Sequence, residues 1–167
     1  MTAGKPRPLL SRLDLPPLWL LAHLVLAWLV ARALPWPGPG PWMRAAGGLL
    51  AVVAVGLAVW AVWTLARHRT AIEPRHVPAR LVTTGPFALS RNPIYLGMAM
   101  LLAGWGLWLG SVAALVTVPL FTAIITRRFI LAEERTIAAH FPKDAHRHRA
   151  RVGRWFGRGD DGPVAKG

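Results

Sequence analysis

The chain has 167 residues, of which 54% are apolar and only 16% charged, with nine tryptophans and a formal net charge of +13. That composition is too apolar for a small soluble domain and reads as one all-α, multi-pass membrane domain over residues 1–156, followed by a Gly- and Asp-rich tail, 157–167, expected to be disordered. With no cysteine, disulfides, a thiolate nucleophile and a Cys-ligated metal are excluded.

Three stretches carry no Asp, Glu, Lys or Arg: residues 15–31, 45–66 and 92–126. The first follows a basic head with Lys5, Arg7 and Arg12 and is about one bilayer crossing long, since roughly 20 helical residues span the hydrocarbon core. Its end, "ARA", has the look of a signal-peptide cleavage site, but the stretch is long for a signal core and contains Pro16, Pro17 and His23. A Pro/Gly-rich connection, "PWPGPGPW", leads to the second stretch, again one crossing long. The third would measure roughly 50 Å as a single helix, too long for a hydrocarbon core of about 30 Å. Gly104, Gly106, Gly110 and Ser111 lie near its middle, so it is expected to fold back as a helical hairpin turning around residues 107–111. The first arm of that hairpin is short, and the whole chain has about four transmembrane helices.

Of the 20 basic residues, 18 fall in the head, the central segment up to Arg91 and the tail from Arg127 onward. By the positive-inside rule both termini and the central loop are expected on the cytoplasmic side of, in the simplest case, the cytoplasmic membrane. The tail, "HFPKDAHRHRARVGRWFGR", is expected to hold a cytoplasmic C-terminal helix. Its charge suits anionic lipid headgroups better than nucleic acid, because it follows directly on membrane spans. No histidine spacing indicates a metal site, "HRH" at 146–148 included.

Two polar clusters stand out. In "SRNPIYLG", proline disfavours helix in the residue before it and is tolerated at the first helical position. Asn92 is thus the expected N-cap and Pro93 the start of the third helix. The unpaired N–H groups of that helix end, beside Arg91, offer a site for a carboxylate or phosphate. Tyr95 adds a ring and a hydroxyl, and Gly97 allows close approach of a ligand or of a neighbouring helix. The second cluster is Glu133 and Glu134, two of only seven acidic residues. A fourth helix returning from residue 111 brings them out at the same membrane face as Arg91. Adjacent helical residues diverge by about 100°, so one glutamate can address a ligand while the other pairs with Arg128 or another arginine.

"RNPIYLG" at 91–97, a long hydrophobic hairpin and then "EE" at 133–134 resemble the integral-membrane methyltransferases that include isoprenylcysteine carboxyl methyltransferase and the phospholipid methyltransferases. The flanks "LVTTGPFALS" and "FPKDAHRHRARVGRW" are similar too, so the resemblance covers residues 80–155. Asn92 stands where histidine is commoner, Ala145 and His148 where tyrosines are expected, and Gly153 where a proline is usual. The resemblance implies S-adenosylmethionine as methyl donor, bound on the cytoplasmic side. Arg91, Asn92, Tyr95 and Gly97 would hold its methionine end, with Glu133 and Glu134 toward the opposite end and Arg154 as a further cation facing cofactor or substrate. The implied acceptor is a lipophilic small molecule or lipid, with a carboxylate favoured over an amine. A non-enzymatic helical scaffold or a small transporter would share the spans but have no need for both clusters at one face.

Overall fold

A computed structural model describes residues 14–34, 40–70 and 80–159. The basic head, most of the Pro/Gly connection and tail residues 160–167 lie outside these, so the expectation of a disordered tail falls largely outside the described residues. All regular structure among the described residues is helical: α1 (Pro16–Ala33), α2 (Pro41–Arg67), α3 (Pro93–Trp108), α4 (Ala113–His140) and α5 (Pro142–Arg151). A short 3₁₀ turn, Gly85–Ala88, precedes α3. Proline opens α1, α2, α3 and α5 at the first turn, where its missing N–H costs nothing.

Helices α1, α2 and α4 are long and apolar enough to cross a membrane, whereas α3 has 16 residues. At about 1.5 Å per residue α3 measures roughly 24 Å, less than the hydrocarbon core. The expected hairpin turn is where the glycines placed it: Gly110 adopts φ +70°, a left-handed conformation, and the Ser111 hydroxyl accepts from the Ala114 N–H at 3.2 Å to start α4.

Helix α3 is central, with α2 on one side and α1 and α4 on the other. The α2–α3 contact is built from small residues: a Cβ at Gly104 would stand 2.8 Å from the Gly47 carbonyl oxygen, and one at Gly97 2.9 Å from that of Ala54. Only glycine lets the two backbones approach so closely. On the other side, Tyr95, Ala99 and Leu102 of α3 pack with Ala27 of α1 and with Ala114, Phe121, Ile125, Phe129 and Ile130 of α4. The Trp105 indole N–H reaches the Leu24 carbonyl of α1 at 3.1 Å. Apolar side chains such as Leu21, Leu49, Val52 and Val59 point outward, as helices facing lipid require.

One irregularity lies inside α4. Residues Thr126–Ile130 form a π turn, between the regular segments Thr117–Ile125 and Leu131–His140.

Candidate functional site

The start of α3 and the end of α4 meet at one end of the molecule. The Tyr95 hydroxyl donates to Glu133 Oε1 at 2.7 Å. Glu134 forms an ion pair with Arg91 Nη1 at 3.2 Å and accepts from Arg154 Nε and Nη2 at 3.0 and 2.8 Å in a two-pronged pair. The Arg91 side chain is 10% exposed and that of Glu134 15%, so their pair is largely withdrawn from water, while Arg154 keeps 31% of its side chain exposed.

The structure thus brings together Arg91, Tyr95, Glu133, Glu134 and Arg154. The two glutamates divide their roles as adjacent helical residues must: Glu133 meets the phenol and Glu134 the guanidinium groups. Arg91 itself fills the place of glutamate partner, while Arg128 pairs with Asp14 at 3.2 Å and stacks 5.2 Å from the Trp19 ring centroid.

Asn92 needs a correction. It occupies the N-cap position, and its carbonyl accepts from the Leu96 N–H at 2.9 Å, but its side chain caps nothing. The amide Nδ2 donates instead to the Arg154 carbonyl at 3.0 Å, and the Ser90 hydroxyl accepts from the Asn92 N–H at 3.0 Å. The C-terminal segment competes successfully for the amide because it is fixed alongside: the Arg91 N–H donates to the Gly153 carbonyl at 3.0 Å. A Cβ at Gly153 would collide with the Phe156 carbonyl, which accounts for glycine there, and the Gly153 N–H closes the turn on the Gly157 carbonyl at 2.9 Å. Asn92 therefore seats Arg154, and the first turn of α3 has no side-chain cap. Gly97 faces α2, not the ion cluster.

Sequence reasoning missed Ser90 and the Asp14–Trp19–Arg128 contact. Asp14, as one of seven acidic residues placed immediately before an apolar stretch, was the available signal for the latter. His148 on α5 is half-buried near this end, and burial first and the Arg91 guanidinium second hold its imidazole below the ordinary value of 6.5. An apolar groove of about 290 Å³, lined by Leu24, Gly47, Ala51, Gly104, Trp105 and Trp108, lies along other parts of α1, α2 and α3 and has no ionisable group in its wall. Among the described residues no three His, Cys, Asp or Glu are grouped so as to hold a metal.

Fold and cluster together define a helical membrane protein whose ionic site closes the open end of a hydrophobic hairpin. Comparison supplies the family: a model of the phospholipid methyltransferase family matches residues 42–144, and the chain belongs to that family, a family of methyltransferases. The match begins well before residue 80 and ends before Arg154. An uncharacterized protein of Haemophilus influenzae is 32% identical over 63 residues, which are 38% of this chain and the whole of that protein. No solved structure matches the chain.

Proposed function

We propose that the protein transfers a methyl group from S-adenosylmethionine to a lipophilic acceptor at the cytoplasmic membrane face. The observation that carries this is the joined cluster of Arg91, Glu134, Arg154, Tyr95 and Glu133 beside an α3 N-terminus that has no side-chain cap. The donor set suits such a molecule, which carries a carboxylate, a sulfonium and a ribose diol. Arg91 and the α3 N–H groups favour an anion, and Glu133 favours a hydroxyl or a cation. Asn92 contributes by seating Arg154, and Gly97 by holding α3 against α2. When bound, S-adenosylmethionine supplies an electrophilic methyl. The protein then has to position the acceptor in line with it and exclude water, which can supply several kcal/mol.

The site lies at the start of α3, a helix too short to cross the whole hydrocarbon core and close the far side, which supports sideways entry from the bilayer of an acceptor with an apolar body. A carboxylate acceptor needs no base, and its charge is annihilated against the sulfonium in a water-poor site, so it is the first choice. A lipid amine is the second; it must lose a proton, for which a glutamate of the pair or His148 is the candidate base.

Membrane extract incubated with methyl-labelled S-adenosylmethionine and the detergent-solubilised protein is expected to give label in the organic phase. Mild alkali releases it as methanol if the product is an ester and leaves it bound if the product is an N-methyl lipid. In calorimetry, Glu133→Gln, Glu134→Gln and Arg91→Ala are each expected to weaken donor binding by about 1.5–3 kcal/mol. Unchanged affinity in all three removes this site, and with it the case against a scaffold or transporter.

A further inference from the structure

The π turn of α4 sits between the buried hairpin core and the two glutamates, and the phases of these residues show what it does. Glu133 follows Phe121 by twelve residues and Ile125 by eight. In an unbroken α-helix, at about 100° per residue, it would stand roughly 120° and 80° around the axis from them. A π turn absorbs one extra residue, which brings Glu133 to within about 20° of both. Phe121 and Ile125 are fully buried on the side of α3, and Glu133 lies on that same side, bonded to Tyr95. The adjacent Phe129 and Ile130 are both fully buried, as a widened turn permits.

A second contact bears on this turn. Arg128, inside it, donates through Nε to Asp14 Oδ1 at 3.2 Å and lies over Trp19, whose own indole N–H donates to the same carboxylate oxygen at 3.0 Å. The entry to α1 therefore grips α4 at the point where its phase changes.

We propose that the π turn is a register device for the ionic site. It aims Glu133 at Tyr95 and Glu134 at Arg91 and Arg154, and Asp14, Trp19 and Arg128 are positioning residues that hold the turn. The register gives a function to the site only through the donor-binding reading above, but it is itself testable without any donor.

Tyr95 is the only tyrosine in the chain, so 3-fluorotyrosine gives the full-length protein in detergent a single fluorine reporter on the Glu133 contact. Glu133→Leu, which has no acceptor, calibrates the fluorine shift for loss of that contact. Deleting the exposed Arg127 turns the π turn into an α turn without rotating the helix beyond it. The deletion is expected to leave the fluorine resonance at the parent position. An alanine inserted after Arg127 adds a further rotation of about 100° and is expected to move the resonance to the Glu133→Leu position. Arg128→Gln and Asp14→Asn keep the chain length and are expected to broaden or split the line.

A deletion variant that loses the contact, or an insertion variant that keeps it, overturns the register role. Should the insertion prevent folding, a sharp unshifted line in both Arg128→Gln and Asp14→Asn overturns the holding role, and the deletion still decides the register. Donor affinity separates the two proposals. If the parent binds no S-adenosylmethionine while the fluorine shifts behave as stated, the donor reading fails and the register stands. If both hold, the insertion lowers affinity by about tenfold or more, the size expected from one misplaced charged contact.

Discussion

At the scale of single residues, the site is a lesson in partition. The meeting of Arg91 with the glutamate pair was legible in the sequence because ionic groups at the edges of apolar stretches are costly unless they have partners, whereas the Tyr95–Glu133 bond was not. The diversion of the Asn92 amide was not, because it depends on a chain segment some 60 residues away that no local pattern reveals. His148 shows how such a site can be probed through protons. Burial and the neighbouring Arg91 cation both disfavour its charged form, so the folded protein binds this proton less readily than the unfolded chain. Stability is therefore full above the ordinary imidazole value of 6.5 and falls as pH drops from there toward the lower folded value. Unfolding midpoints measured in detergent between about pH 7.5 and 5 are expected to decline for the parent and to decline less for His148→Gln. Parallel curves would mean that His148 is equally protonated in both states.

Among the elements, the α3–α4 hairpin is legible directly from length: a 35-residue uncharged stretch does not fit a bilayer as one helix, and glycines near its middle mark the turn. The π turn is not, since it adds a residue without changing the apolar character of the segment. The α2–α3 interface lies between these cases. By sequence Gly97 permits either a ligand or a helix, and the structure supplies the helix. This makes the glycines of α2 and α3 unequal in a predictable way. In Gly104→Val, the new Cβ meets backbone atoms of Gly47 and Ala51 at 2.8 and 3.0 Å, and neither can yield without moving α2. The expected loss is about 2–3 kcal/mol or a failure to fold. Gly56, on the same helix α2, has nothing within 4 Å of its Cβ position. Gly56→Ala is therefore expected to gain about 0.5–1 kcal/mol through helix propensity. Reversible unfolding in mixed detergent micelles measures both, and equal effects would show that α2 does not pack on α3 through this face.

For the whole molecule, contacts far apart in sequence fix which helix ends share a side. Asp14 with Arg128 places the start of α1 beside the end of α4, and Arg91 with Glu134 places the start of α3 there as well. The Gly85 Cβ position, 3.5 Å from the Thr64 hydroxyl, brings in the end of α2. At the opposite end, Gly47 near the start of α2 lies against the Trp108 backbone at the end of α3. The helices therefore alternate up and down, and the arginines that flank them at the first end include Arg67, Arg91 and Arg128, whereas Arg32 and Arg44 belong to the second. Such a bias predicts insertion with the first end in the cytoplasm, because basic residues near span ends are retained on that side. Reporters active only in the cytoplasm, inserted near Thr83 or fused after Gly157, are expected to score positive. A reporter of the external compartment is expected to score at residues 38–40. An external score at Thr83 would invert the molecule and put the ion cluster out of reach of a cytoplasmic methyl donor, even if every contact within the cluster were correct.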